Sequence, residues 1–415
     1  MLALEGNIVN KNKVFRGRIE IDEDGTISKI GSPTGSADFI FKDELIFPGF
    51  IDLHVHARED VSHKQDYKED FLSASEAAIS GGVVSFADMP NNFIPPVDDA
   101  SYEAKNVLTK KSLVPVLLYA GIGPQTEPLQ KRVPYKVFMG PSVGELFFSD
   151  RESLEKVISK YSDQNVSFHC EEPEILEKNI EASTHEAKRP PEAEISAIDF
   201  ALELIQKYNL VGKICHCSTK EGIEKIVNAK KKGIKVSVEV TPHHLYFDET
   251  MFNGGEMRTK FQVNPPIRQT KENRLALIKF LKEGQIDYLA TDHAPHSVEE
   301  KAKGTSGLTH LDTYGSFTSW LCREHGFTPE DIKRVCSKNP GDFVNSFLAD
   351  RYGEIEEGYV GSLTIIDMNK EIKITKDILK TKAGWSPFEG CIFPGSVVMT
   401  VIKGTPHQSK PSTGQ

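Results

Sequence analysis

An alternation that recurs eight times limits this chain to very few folds. Short runs rich in β-branched and aromatic residues stand at 51–55, 83–87, 114–120, 135–139, 166–170, 213–217, 235–240 and 286–291. Longer stretches separate them, and those at 150–161, 193–208 and 220–232 space their apolar residues with helical period. Strand followed by helix, eight times over, predicts an α/β fold of the (β/α)8 TIM-barrel type. The competing architecture, an open doubly wound sheet, would carry a Gly-rich phosphate loop after its first strand. No such loop follows residue 55.

The two ends of the chain follow a different pattern. Residues 1–48 set short apolar runs around Ile8, Ile19 and Ile27 against turn residues such as Asp24-Gly25, which is hairpin patterning. Residues 361–367 and 395–404 repeat it. We therefore expect two units: a small β-sandwich-like domain of residues 1–48 and 353–415, and a barrel of residues 49–352. From Thr405 the chain turns polar and holds two prolines, so the tail is expected to be loose.

Composition excludes several functions. A net charge of −10 argues against a nucleic-acid or anionic-membrane surface. No run of 18 apolar residues occurs, and no basic segment followed by an apolar core opens the chain, so a cytoplasmic protein is expected. The six cysteines form no CxxC and read as free thiols.

In barrels of this type the active site is assembled at the C-terminal ends of the strands. The first strand ends in His54-Val55-His56, followed by Arg58. Side chains two apart on a strand share a face, so the two imidazoles can meet at one divalent metal ion. The second strand ends in Asp88-Met89-Pro90-Asn91, the fifth in His169, the sixth in His216, and the eighth in Asp292, with His296 shortly after. A lone histidine on an apolar strand is usually a hydrogen-bonded core residue. Four histidines and an aspartate at strand ends call for another explanation. Lys136, on the fourth strand, cannot bind a cation as an ammonium. A lysine stripped of water beside cations sheds its proton, and the neutral amine can take up CO2 to become a bridging carbamate. Cys215 and Cys217 share a face opposite His216 and are expected to serve packing, while His243 and His244 are expected to be structural or to support the ligands.

The segments FPGFIDLHVHARE (47–59), GGVVSFADMPNN (81–92), YKVFMG (135–140), FHCE (168–171), RPPEAE (189–194), CHCST (215–219), VEVTPHHL (238–245), NPPIR (264–268) and TDHAPH (291–296) resemble, in order and spacing, the dihydroorotases of the long bacterial type within the amidohydrolase superfamily. The resemblance covers the whole chain. It implies two divalent metal ions, usually zinc. His54, His56 and Asp292 would hold one and His169 and His216 the other, with carboxylated Lys136 as the bridge. It further implies that Arg58 and Asn91 grip a substrate carboxylate, that His296 is a further substrate contact, and that Asn264 lies in a substrate-side loop. Asp292 would carry a proton from the attacking water to the leaving nitrogen as dihydroorotate opens to N-carbamoyl-aspartate, the reverse of a step in pyrimidine synthesis. A homodimer and association with an aspartate transcarbamoylase are the partners it suggests. Asn92 stands where the family often has threonine, and residues 307–312 match the family loop after strand eight only loosely. Rival readings are another cyclic amidohydrolase, an allantoinase or a dihydropyrimidinase, and a non-catalytic dihydroorotase-like scaffold.

Overall fold

Sheet pairing divides the strands into a barrel and a separate sheet built from both ends of the chain. The computed structural model describes residues 1–10, 13–141, 146–252, 254–268 and 270–409. In the barrel, Phe50–Val55, Val83–Asp88 and Val116–Leu118 pair in parallel. Ala120–Ile122, Tyr135–Phe138, Asn165–His169, Val211–Ile214, Val236–Val240 and Tyr288–Leu289 continue the parallel order. The third expected strand is a single run that changes partner at Tyr119. Its first half pairs with Val83–Asp88 and its second with Tyr135–Phe138. The ring closes where the His56 amide donates to the His293 carbonyl at 2.8 Å. The eighth strand is the shortest, with only Tyr288 and Leu289 in regular pairing.

Helices Phe71–Ser80, Pro191–Lys207, Lys220–Lys231 and Lys271–Lys282 are among those that follow the strands. Asp70, Thr219 and Thr270 accept a backbone N–H in the first turn of the helix they precede, which satisfies one of its unpaired donors. The first strand is buried along its whole length, as a strand of a parallel sheet covered on both faces must be.

The second sheet has seven strands in the order Thr405–Gln408, Ser396–Ile402, Leu363–Asp367, Phe39–Pro48, Leu2–Asn10, Lys13–Ile21, Ile27–Gly31. Leu4, Ile8, Ile19, Ile46, Leu363, Ile365 and Val401 form its own apolar core. The expectation of a loose tail from Thr405 is corrected in part. Thr405–Gln408 pairs antiparallel with Ser396–Ile402, because an adjacent edge offers its backbone groups partners. Residues 410–415 lie outside the described residues.

The sheet and barrel join at Gly49, where a Cβ would stand 2.4 Å from Val84 Cγ2, so only glycine lets the strands approach this closely. Between Leu363–Asp367 and Ser396–Ile402 the chain returns to the barrel. There Trp385 Nε1 donates to the His296 carbonyl at 2.8 Å, and the Phe388 ring stacks on Phe247 with centroids 5.3 Å apart. Among the described residues no helix is long and apolar enough to cross a membrane.

Candidate metal centre

Strand alternation and three left-handed residues together build the site. On Phe50–Val55, alternate residues Ile51, Leu53 and Val55 belong to the apolar core, while Asp52 and His54 make polar contacts with other strands. Asp52 accepts from the His54 and Thr291 amides at 3.0 and 3.1 Å, which ties the first strand to the end of the eighth. Burial pushes its carboxyl up to about 7.

Arg58, His216 and Asp292 have positive φ values of 62°, 34° and 51°. Side chains other than glycine rarely adopt this region, and such conformations persist where the surroundings over-determine them. At His216 the turn breaks the alternation expected of Cys215-His216-Cys217. The expectation that Cys215 lies opposite His216 is thereby corrected, although Cys215 is buried as expected: Cys215 stands within 4.8 Å of ligand atoms of His54 and Glu239, and His216 within 4.8 Å of those of His54 and Asp292. Cys217 does pack in the apolar core.

The six side chains singled out as ligands converge. His54 Nε2 and His56 Nε2 lie 3.3 and 3.0 Å from Asp292 Oδ1. His169 Nδ1 and His216 Nε2 are 3.0 Å apart. The two groups are adjacent, with the His54 and His216 rings 5.2 Å apart. Lys136 is fully buried, and its Nζ has no oxygen or nitrogen partner, only the Cys215 thiol beside it. Burial, with the Lys136 charge among the further causes, holds His54, His56 and His216 well below the usual histidine range, so they are neutral imidazoles. Burial pushes the Asp292 carboxyl up to about 7, against the pull of Lys136.

This donor set fits a pair of divalent ions. Neutral imidazoles and a carboxylate suit such ions, and a second set of contacts already orients the rings. His54 Nδ1 bonds to Glu239 Oε1, and Glu239 Oε2 lies 2.6 Å from Lys213 Nζ. His56 Nδ1 bonds to Asn91 Oδ1 at 2.6 Å. His169 Nε2 bonds to Glu171 Oε2 at 2.9 Å, and Glu171 is paired with Arg189. A fully buried ammonium without an oxygen partner is costly.

Around this centre lies a pocket lined also by Arg58, Asn91, Phe138, Asn264, Ser306 and Gly307. Arg58 is 2% exposed. It does not pair with Glu59 or Asp60 at the surface: Nε donates to the Pro295 carbonyl at 3.2 Å and Nη2 to His296 Nε2 at 3.1 Å. His296 is not on the pocket wall. It stands behind Arg58, buried, with its Nδ1 3.5 Å from Glu300 Oε2. Asn264 Oδ1 has no partner. Of the two histidines after the seventh strand, His243 Nδ1 meets His310 Nε2 at 3.0 Å, and His244 Nε2 bonds to the Pro265 carbonyl at 3.1 Å.

Sequence reasoning overlooked Glu239, Lys213, Glu171, Asp52 and the pair Asp88–Lys105. Charged residues inside otherwise apolar barrel strands, as in Val238-Glu239-Val240, were the available signal.

The amidohydrolase family matches residues 45–136 and 143–406. The chain is 33% identical to a dihydroorotase of Pyrococcus furiosus over 97% of its own length and 91% of that protein's. It is 36% identical to a dihydroorotase of Thermococcus kodakarensis over 97% and 93%. The fold is similar to that of an L-hydantoinase (dihydropyrimidinase) from Arthrobacter aurescens, with a TM-score of 0.88, 23% identity, and coverage of 99% of this chain and 96% of that one. The chain belongs to the amidohydrolase family, in which it is similar over nearly its full length to those two dihydroorotases.

Proposed function

We propose that this chain is a dihydroorotase, which hydrolyses the cyclic amide of (S)-dihydroorotate to N-carbamoyl-L-aspartate and closes the ring in the biosynthetic direction. The observation that carries this reading is Arg58, a guanidinium buried in the pocket wall beside the histidine cluster. Its planar fork suits a carboxylate, which dihydroorotate carries and dihydrouracil lacks. Asn91 spends its Oδ1 on His56, so its NH2 is the group left for the same carboxylate.

His54, His56 and Asp292 would hold one divalent ion, His169 and His216 another, and carboxylated Lys136 would lie between them. Zinc is the ion we favour. When bound, the ions supply Lewis-acid polarisation and activation of water. Arg58 and Asn91 orient the substrate, and Asp292 takes the proton of the attacking water and returns it to the leaving ring nitrogen. The closeness of Asp292 Oδ1 to both His54 Nε2 and His56 Nε2 supports its place with them at one ion. Residues 1–48 and 353–415 are proposed as the small domain and 49–352 as the barrel. Light scattering of the chain, alone and mixed with an aspartate transcarbamoylase, tests a homodimer and that association.

Turnover of dihydroorotate, dihydrouracil and allantoin by the metal-replete protein tests the reading. Dihydroorotate should have the highest kcat/KM. A preference for dihydrouracil would make the protein a dihydropyrimidinase, which its similarity in fold to the hydantoinase allows. Absence of both metal and turnover would leave the scaffold.

A further inference from the structure

Glu239, the penultimate residue of the Val236–Val240 strand, is fully buried and touches both halves of the candidate metal centre. One oxygen, Oε1, accepts from His54 Nδ1 and from the His216 backbone amide, the latter at 3.1 Å. The other, Oε2, is 2.6 Å from Lys213 Nζ, which itself reaches the Leu53 carbonyl at 3.5 Å. His54 belongs to the first ligand group and His216 to the second. The His216 amide is the N–H of a left-handed residue, at φ 34°, so the bond to Glu239 falls where the backbone departs from its strand. By contrast, among the ligand histidines and the described contacts, Asn91 bonds to His56 alone and Glu171 to His169 alone.

We propose that Glu239 is the positioning residue for both ion sites at once, with Lys213 fixing which of its oxygens faces the ligands. The inference rests on the two-ion reading above. By accepting the Nδ1 proton of His54, the carboxylate leaves Nε2 bare toward Asp292. By accepting the His216 amide, it holds the turn that brings that imidazole beside His169. Lys213 has three donors and no acceptor, so it claims one Glu239 oxygen and leaves the other for His54 and His216.

This predicts an unusual pattern for Glu239→Gln. The amide oxygen would go to Lys213, and the amide NH2 would face His54 Nδ1 and the His216 N–H, donor against donor. His54 would then keep its proton on Nε2, where it blocks ligation. Both steps of a zinc or cobalt titration of the metal-free protein, followed by chelator competition, should weaken by roughly 10–100-fold each, the usual effect of losing a ligand's supporting partner. In Glu239→Gln/Lys213→Met the ammonium is gone. The amide oxygen is then free to turn toward His54 and His216, and most of the affinity should return.

A role in packing alone predicts no such rescue from a second buried substitution. Weakening of one step only, or of neither, overturns the proposal, as does a double variant no better than Glu239→Gln. If Glu239→Gln does not fold, the wild-type protein decides. Nitrogen-15 histidine spectra of its metal-free form should show His54 with its proton on Nδ1, and a proton on Nε2 overturns the proposal. A wild-type protein that binds no metal in the titration would instead sink the two-ion reading, which separates the two failures.

Discussion

Arg58 and Lys136 are the residues whose chemistry is hardest to explain without a substrate and ions. Arg58 is held by the Pro295 carbonyl and His296 and lines the pocket. Lysine at this position keeps the charge but loses the two parallel donors. Arg58→Lys should therefore cost about 2 kcal/mol in kcat/KM for dihydroorotate, a drop of roughly 30-fold, within the range for a hydrogen bond to a charged group. Bound metal should be unchanged, and any activity on dihydrouracil should fall much less. Equal losses on both substrates would show that Arg58 supports the site without reading the carboxylate. Lys136 is a different case, because its Nζ is buried with only the Cys215 thiol beside it and no oxygen partner. Lys136→Ala should lose bound metal and most turnover, and short carboxylic acids should restore part of both by standing in for the carbamate. Undiminished metal content, measured by elemental analysis, would remove Lys136 from the ligand set.

At the scale of elements, the turn after Val83–Asp88 depends on a helix that never reaches the pocket. Lys105, on Asp99–Leu108, lies 2.6 Å from Asp88 Oδ2 and also donates to Asn92 Oδ1. Asp88 Oδ1 in turn accepts the Ala57 amide at 2.8 Å. One buried ion pair thus joins a helix, the end of the second strand and the turn after the first. Asn91 and Arg58 are adjacent to those contacts in sequence. Lys105→Met would leave the Asp88 charge buried without its partner. Unfolding by denaturant should show a loss of roughly 3–5 kcal/mol. A change within a few tenths of a kcal/mol would mean that Asp88 is adequately satisfied by Ala57 alone.

For the whole molecule, the question is how far folding depends on metal. The barrel and terminal sheet each have an extensive apolar core, and the barrel strands are joined by backbone pairing. The metal-free protein should therefore be folded. Ions that bind only the folded state add stability by mass action, by about 2.7 kcal/mol when free metal stands at about 100 times its Kd. Zinc added to chelator-stripped protein should raise the unfolding midpoint by a corresponding amount. A midpoint insensitive to zinc would be incompatible with ions held by these buried histidines.

What the sequence determined alone was everything carried by periodicity and strand-end position. Strand-length apolar runs and helical spacing follow from local backbone geometry, so the eight barrel strands and the turn at Asp24-Gly25 were legible without tertiary information. So was the gathering of His54, His56, Lys136, His169, His216 and Asp292, because a closed parallel barrel brings all strand ends to one face. The tertiary structure decided what depends on contacts between distant segments. The pairing of Thr405–Gln408 needed the edge of Ser396–Ile402, which a polar composition does not reveal. The inward turn of His216 beside Cys215 needed a left-handed backbone that alternation cannot foresee. The position of His296 behind Arg58 depended on the loop after strand eight. Glu239 read as one acidic residue among many until the fold set it between Lys213, His54 and His216. Only there does burial leave a charge no alternative to its partners.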